Sequence, residues 1–269
     1  MCLIVFAWRQ HPKAPLLLAA NRDEFHQRPT DPMDYWSDLS QILAGRDREA
    51  GGTWLGLSAR GRFSAVTNVR DPDGVRSPAP RSRGELTADF LSGDTEPLAY
   101  LREVAQRADQ YQGFNLLVGD GDTLAYLNKD DRGTSEPLAL EPGLYGVSNA
   151  SIDTPWPKLV AGKQKLAASV ADPELVPEHT QLRACLENRS LAETSALHEV
   201  GLEGEMARRL SAQFIVTPSY GTRCCSTLRL YRGGGFDVEE QRYGEDGSVT
   251  GTSAFAVDTP GRLPASVTD

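Results

Sequence analysis

This 269-residue chain lacks long apolar runs. Its N-terminal apolar stretch, Cys2–Trp8, is shorter than the apolar core of a signal peptide, has no basic segment before it and is followed at once by Arg9. No segment approaches the roughly 18 consecutive apolar residues of a membrane-spanning helix. We therefore expect a cytoplasmic protein without stable membrane insertion.

Metal-binding patterns are also missing, because the four cysteines and four histidines have none of the spacings typical of metal ligands. Cys224 and Cys225 are adjacent in a predicted strand, so their side chains should point to opposite faces. We interpret them, together with Cys185, as reduced packing residues. No metal and no other cofactor is predicted.

Positive charge is scarce, with 28 Lys and Arg against 37 Asp and Glu and a net charge of −9. An acidic surface repels phosphate backbones, so we do not expect a nucleic-acid partner. The Arg-containing stretch at residues 70–83 could form a local basic pocket. Its Pro and Gly content is more typical of a solvated loop.

Strand and helix patterns alternate in groups along the chain. A hairpin of Cys2–Trp8 and Leu16–Asn21 is followed by a second hairpin, a helix that starts at a capping box at Ser82, and another that starts at Thr95. Three strands, a helix from Pro157 to Ala171 and two weaker helices follow. Three further strands, at Gln213–Val216, Thr222–Tyr231 and Phe236–Tyr243, complete the order. Because the helices are grouped, we predict an α+β fold of two mainly antiparallel sheets flanked by helix pairs, in a single domain over residues 1–269.

Cys2 is the first candidate for chemistry, because removal of Met1 would expose it as the amino terminus. Its α-amine, with a pKa of about 7.7–8.0, could then act as the base for its own thiol, and no catalytic histidine would be required. From position alone, a small apolar residue that opens a buried strand is the simpler interpretation.

Four polar residues, Asn21–Glu24, end the second predicted strand and strengthen the case for Cys2. In an antiparallel hairpin the first residue of one strand lies near the last residue of its neighbour, so Cys2 and Arg22 should be close together. A guanidinium there would favour the thiolate. Since side chains alternate along a strand, the pocket should hold either Arg22 with Glu24 or Asn21 with Asp23.

Further candidates lie in other strands. Asn68 and Asn149 end apolar strands and could stabilise an oxyanion, although asparagine is more often an ordinary turn residue. Asn115 begins a strand and is a weaker candidate. Arg223 is a charge within a β-rich segment, which suggests a contact with an anion or an edge-strand charge that opposes aggregation.

Several motifs, read together, resemble one known family. MCLIVF, LLLAANRDEFHQRP, GGTWLGLS, GFNLLVGD, YGVSNASIDTPWPK and YGTR are similar in order and spacing to the NRDE family, also called the Transport and Golgi Organization 2 family. The resemblance implies the four-layer αββα fold of the N-terminal nucleophile hydrolases. It also implies nucleophilic Cys2, oxyanion or orienting roles for Asn68 and Asn149, and charged roles for Arg22, Asp23 and Arg223.

The resemblance leaves two functions open. One is hydrolysis of a C–N amide, or a thioester, in a small molecule. The other is non-catalytic binding or trafficking of haem or an acyl-CoA-like lipid ligand, since the family is associated with haem trafficking, acyl-CoA metabolism and Golgi organisation. A hydrolase fold does not by itself establish hydrolysis.

Overall fold

The computed structural model of the chain describes residues 2–70 and 79–258. Its strands are β1 (Cys2–Trp8), β2 (Leu16–Phe25), β3 (Thr30–Tyr35), β4 (Ile42–Asp47), β5 (Leu55–Ser58), β6 (Phe63–Asn68), β7 (Phe114–Gly119), β8 (Leu124–Asp130), β9 (Gly133–Thr134), β10 (Leu138–Ala139), β11 (Gly143–Val147), β12 (Tyr220–Leu230), β13 (Phe236–Tyr243) and β14 (Val249–Val257). Its helices are α1 (Arg83–Ser92), α2 (Pro97–Gln106), α3 (Pro157–Ser169), α4 (His179–Ala184), α5 (Thr194–Glu199) and α6 (Gly204–Arg209), with a 3-10 turn at Ala108–Gln110.

The strands form two antiparallel sheets. The first has the order β11-β1-β2-β12-β13-β14, and the second has the order β10-β8-β7-β6-β5-β4-β3, with β9 paired to β8. Each sheet therefore combines strands from distant parts of the chain. β12 joins the N-terminal hairpin to the C-terminal strands, which brings residues about 200 positions apart into one ladder.

Three apolar clusters define four layers. Between the sheets, Ile4, Phe6 and Leu18 of the first sheet pack against Leu57 and Leu117 of the second. The outer face of the first sheet packs on α3 and α4, and the outer face of the second packs on α1 and α2. Side chains alternate along β1, so Ile4 and Phe6 pack between the sheets while Leu3 and Val5 pack against the helices. β1 is therefore apolar on both faces. The predicted αββα arrangement is confirmed.

The N-terminal hairpin forms as predicted, and Cys2 pairs directly with Arg22. The second strand is longer than predicted, because it continues from Asn21 to Phe25 and pairs there with β12. The polar tetrapeptide Asn21–Glu24 is therefore strand rather than strand end.

The predicted capping box at the start of α1 is only half formed. Ser82 is the N-cap, and its Oγ accepts a long hydrogen bond of 3.4 Å from the backbone N–H of Gly84. The Glu85 side chain does not close the box but pairs with Arg81 and accepts a hydrogen bond from Tyr111. Glu85 thus contacts the Arg81 and Tyr111 side chains instead of the backbone N–H of Ser82.

Some strands were not predicted. The edge strands β3 and β14 are largely exposed and lie outside the apolar pattern. β4 was also missed, because its buried apolar run is only Ile42–Ala44. The predicted strand at residues 213–216 was wrong except for one bridge, between Val216 and Gly221. No helix in the described ranges is long and apolar enough to cross a bilayer.

Asp237 on β13 supports a prediction about stability. Burial raises the pKa of this carboxyl, but hydrogen bonds from His179, Arg229 and Tyr231 outweigh that effect and lower the pKa from 3.8 to about 2. A carboxyl with a depressed folded-state pKa stabilises the fold above its unfolded pKa, and the contribution is lost as pH falls through the folded value. Since the site is partly solvated, we expect Asp237→Asn to lower the free energy of unfolding by about 1–2 kcal/mol at pH 7.

Urea unfolding of both chains across pH checks this expectation. The difference between them should shrink as pH falls from about 4 to about 2. A difference that stays constant over that window would show that the charge on Asp237 is not responsible.

Candidate active site

Cys2 begins a row of paired residues that crosses the first sheet. It pairs with Arg22, which pairs with Cys224, which pairs with Arg242. Paired residues share a face, and the face of Cys2 is also that of Ile4, which packs between the sheets. The thiol and both guanidinium groups therefore face the space between the two sheets.

The row opens into a cavity of about 480 Å³. The opposite wall comes from the second sheet and from the start of α1. Six arginines and five carboxylates line it, which makes its lining slightly cationic in a chain of net charge −9. The charged lining residues are Arg22, Arg28, Arg81, Arg83, Arg223, Arg242, Asp23, Glu24, Asp31, Asp47 and Glu240.

The environment of Cys2 acts on its thiol in both directions. Only 8% of the residue is exposed. Burial raises the pKa of the thiol above its usual value, and the charge of Asp23 acts in the same direction. The Arg22 guanidinium and the backbone N–H of Asp23 offset this only in part. The Cys2 carbonyl accepts a hydrogen bond of 2.9 Å from Ser148 Oγ, which fixes the backbone at the start of β1.

Arg22 is buried but only loosely paired. Its Nη2 lies 3.8 Å from Glu24 Oε2 and 3.9 Å from Asp47 Oδ2, beyond ordinary hydrogen-bond distance. Its Nη1 donates to no atom within residues 2–70 and 79–258. A buried guanidinium with an unused donor is costly unless another group accepts from it, so this side chain is a candidate for ligand contact.

The other face of β2 carries Asn21 and Asp23. Asn21 Nδ2 donates to the carbonyls of Leu186 and Gln213, which places that side chain on the helix side of the sheet. Asp23 Oδ1 accepts a hydrogen bond of 2.7 Å from Thr222. Of the two pairs predicted for the pocket, Arg22 and Glu24 are on the face of Cys2. Asp23 also lines the cavity, although its side chain is on the other face of β2.

Lys158, in the first turn of α3, is a buried cation that sequence reasoning missed. Its Nζ donates to the carbonyl of Leu210 at 3.1 Å. Burial lowers the pKa of Lys158, while the negative charges of Asp23 and Cys2 raise it. In turn, burial raises the pKa of Asp23, and Lys158 opposes that shift. A lysine in a Pro-rich segment gives no sequence signal of such burial.

The two strand-end asparagines contact each other. Asn149 Nδ2 donates to both the backbone carbonyl and the Oδ1 of Asn68, at 2.8 Å each. Asn68 lines the cavity, and its own Nδ2 has no acceptor among residues 2–70 and 79–258. Asn149 is therefore placed to orient Asn68, and Asn68 is placed to donate into the cavity. Asn115 links the two strand ends, because its Nδ2 donates to Thr67 Oγ1 and to the carbonyl of Ala150.

Arg223 is the extra residue at a bulge between Thr222 and Cys224 in β12. Its Nη1 donates to three backbone carbonyls, those of Phe25, His26 and Arg28. This guanidinium lines the cavity, but these donations hold the turn after β2.

Cys224 and Cys225 point to opposite faces of the first sheet, as predicted. Cys224 is a free, buried cysteine that lines the cavity in the same row as Cys2, and Cys225 packs with Phe214 and Tyr243. Burial, followed by the charge of Glu240, raises the pKa of Cys224 well above its usual value. The described parts of the chain contain no group of three or more His, Cys, Asp or Glu side chains that could hold a metal ion.

A close backbone contact joins the GGTW motif to α1 and supports a prediction. A Cβ at Gly52 would lie 2.4 Å from the backbone carbon of Gly84, next to the cavity arginine of α1, whereas a Cβ at Gly51 would meet nothing within 4 Å. We expect Gly52→Ala to lower the free energy of unfolding by about 3 kcal/mol because the backbone must shift. Gly51→Ala should cost about 1 kcal/mol, through its left-handed φ of +77° alone.

Denaturant unfolding of Gly51→Ala and Gly52→Ala, each against the parent chain, measures the two losses of unfolding free energy. Equal losses at the two positions would contradict the packing argument.

The amino-acid sequence is similar to those of known proteins. The family described as Transport and Golgi organisation 2 matches residues 1–245. The chain is 39% identical over 241 residues to the Transport and Golgi organization 2 homolog of Mus musculus, covering 83% of this chain and 86% of the mouse protein.

Two solved structures are similar at low sequence identity. A conjugated bile acid hydrolase from Clostridium perfringens gives a TM-score of 0.44 at 10% identity, covering 96% of this chain and 93% of that one. A Caenorhabditis elegans ortholog of N-acylethanolamine-hydrolyzing acid amidase gives 0.38 at 9% identity, covering 84% and 92%.

Proposed function

The chain belongs to the Transport and Golgi organisation 2 family, and from this premise we propose that it is an N-terminal-cysteine hydrolase-like protein that cleaves a C–N amide bond, or a thioester, of a small molecule. One observation carries the proposal. The Cys2 thiol lines a charged cavity and is paired across the hairpin with a buried guanidinium.

The reaction requires removal of Met1, which gives Cys2 a free α-amine. That amine takes the thiol proton, and the sulfur attacks the carbonyl carbon of the substrate. Collapse of the tetrahedral intermediate breaks the C–N bond, and the amine leaves with the proton returned from the α-ammonium. Water then attacks the thioester, releases a carboxylic acid and restores the thiol, so one water molecule is consumed per turnover.

The surrounding residues have separate roles in this proposal. Asn68 donates to the oxyanion, since its Nδ2 is available on the cavity side. Asn149 is a positioning residue that holds Asn68. Arg22 stabilises the thiolate, and Asp23 and Lys158 set the charge around the α-amine of Cys2. Arg223 keeps the cavity wall in place through the turn after β2.

A carrier function is the second candidate, because a cavity of about 480 Å³ lined by six arginines suits an anionic amphiphile as well as a substrate. Haem or an acyl-CoA-like ligand would then bind without turnover. The two functions differ in their dependence on Cys2: binding should survive Cys2→Ala, whereas hydrolysis should not.

A panel of amides and thioesters tests the proposal. The chain is incubated with each compound, quenched in acid, and its intact mass is measured for an acyl adduct, with product release followed in parallel. We expect an acyl-enzyme that maps to the N-terminal peptide. Tight binding of haem or an acyl-CoA by both the parent chain and Cys2→Ala, with no adduct from any compound, would favour the carrier instead.

A further inference from the structure

Three of the six cavity arginines, Arg22, Arg83 and Arg223, have no carboxylate of the described chain within hydrogen-bond distance, and Arg22 and Arg83 also have few other acceptors. Arg22 is 6% exposed, its nearest carboxylate oxygens are at 3.8 and 3.9 Å, and its Nη1 has no acceptor in the described ranges. Arg83 donates from Nη1 to the carbonyl of Gly113 at 3.1 Å, and no carboxylate of residues 2–70 or 79–258 lies within 4.0 Å of it. Both side chains therefore keep guanidinium N–H groups that no hydrogen bond within the described chain uses.

The other four arginines have hydrogen-bond partners within the described chain. Arg28 pairs with Asp47 and Glu49, and Arg81 pairs with Glu85. Arg223 donates to three carbonyls, and Arg242 to Ser253 with Glu240 nearby. Arg22 and Arg83 differ from these four arginines in number of contacts, because Arg22 Nη1 has no acceptor and Arg83 donates a single hydrogen bond within the described chain.

Both arginines line the cavity that Cys2 lines, from opposite walls. Arg22 is the cross-strand partner of Cys2 in the first sheet. Arg83 is the first residue of α1, which packs on the second sheet, and it lines the same cavity. Burial lowers the pKa of Arg83, while negative charge on Cys2 and on Glu24 raises it, which is consistent with a side chain near both groups.

The start of α1 adds to this positive region. Ser82, Arg83 and Gly84 all line the cavity, so the N-terminal end of a ten-residue helix faces it. The helix dipole places partial positive charge at that end and favours an anion. The buried Arg22 with its unused Nη1 is the independent observation that points to a ligand at this place.

We propose that Arg22 and Arg83 together bind a compact anionic group of the substrate, a carboxylate or a phosphate, held within a few bonds of the carbonyl that Cys2 attacks. This inference rests on the function proposed above and specifies its substrate class: acyl compounds with an anionic substituent close to the scissile bond, such as N-acylated amino acids. A guanidinium binds either anion through two parallel hydrogen bonds, which supplies orientation as well as affinity.

Two reagents that differ mainly in one charge test the proposal without any knowledge of the substrate. Iodoacetamide and iodoacetate both alkylate a thiolate, forming an S–C bond and releasing iodide, but only iodoacetate carries a carboxylate next to the reacting carbon. The rates are measured on the chain without Met1 at one pH and ionic strength, with peptide mapping to assign the label to Cys2. Free cysteine under the same conditions gives the intrinsic ratio of the two rates.

The expected ratio of iodoacetate to iodoacetamide rates is at least about tenfold higher for Cys2 than for free cysteine. Arg83→Gln should lower that ratio about tenfold and change the iodoacetamide rate less than about twofold. Arg83→Lys keeps the positive charge but loses the two parallel N–H donors of the guanidinium, and it should lower the ratio of the two rates about threefold. Arg81→Gln is the matched control, because it removes the same charge two residues away and should leave the ratio unchanged.

Protection experiments distinguish the two sources of the anion. Acetate and inorganic phosphate are compared at constant ionic strength for their ability to slow iodoacetamide at Cys2, and the stronger protector identifies the group. A ratio equal to that of free cysteine, an equal effect of Arg81→Gln and Arg83→Gln, or no protection by either ion would overturn the subsite while leaving the nucleophile intact. Failure of Cys2 to react with either reagent would overturn the proposed function as well.

Discussion

Replacement of Cys2 by Ala should remove all acyl-enzyme formation and lower hydrolysis by about a thousandfold or more, since loss of a nucleophile leaves only the contribution of substrate binding and oxyanion donors. The cavity should otherwise persist, because the 2.9 Å hydrogen bond from Ser148 is to the backbone carbonyl of residue 2 and needs no thiol. Ligand binding, measured by calorimetry with any compound that acylates the parent chain, should be retained.

Cys224→Ala provides the matched control for this substitution. Cys224 lies in the same row as Cys2, on the other side of Arg22, and is also buried. Burial and Glu240 raise its pKa, so its thiol stays protonated and should react slowly. We expect Cys224→Ala to keep acylation within about twofold of the parent chain. An acyl group that maps to Cys224, or an undiminished rate in Cys2→Ala, would rule out Cys2 as the nucleophile.

Extension of the amino terminus should have the second large effect. A chain with a few residues added before Cys2 keeps the thiol but converts its α-amine into an amide. Burial then favours the neutral thiol, so its pKa lies above 9.0 and the thiolate fraction at neutral pH falls below that of free cysteine. We expect iodoacetamide to alkylate the extended chain at least about tenfold more slowly at pH 7.5 than the chain with a free Cys2, since one pKa unit is a tenfold change.

The pH profile and a rescue complete this test. The difference between the two chains should narrow as pH rises past 9, where the buried thiol begins to ionise without help from the amine. If the extension ends in a protease site whose cleavage leaves Cys2 first, cleavage should restore the fast rate. Equal rates before and after cleavage would show that the α-amine has no part in activating the thiol.

The sequence was sufficient for the parts of the site that depend on strand pairing. A short hairpin constrains its register, so the pairing of Cys2 with Arg22 followed from their positions at the two strand ends. Because side chains alternate along a strand, the sequence also predicted that Arg22 and Glu24 lie on one face of β2 and Asn21 and Asp23 on the other. The grouping of helices and strands was enough to predict two antiparallel sheets between helix layers.

Contacts between distant segments were not predictable in the same way. The link from Asn149 to Asn68 depends on the packing of the β11 end against the β6 end, and a single sequence gives both residues only as strand-end asparagines. Lys158 and Arg83 lie in segments that look like ordinary helix starts. Lys158 is buried and Arg83 half-buried because of neighbours supplied by other elements. The bulge in β12 leaves Arg223 without a partner residue on β2, and nothing in the sequence YGTRCC predicts such a bulge.

Intact mass of the purified chain before and after brief iodoacetamide treatment is the most direct test of the claim that Cys2 acts as an N-terminal nucleophile. We expect a chain that has lost Met1 and gains one adduct, which peptide mapping assigns to Cys2 ahead of Cys185, Cys224 and Cys225. A chain that retains Met1 throughout, or an adduct that forms first on another cysteine, would contradict it.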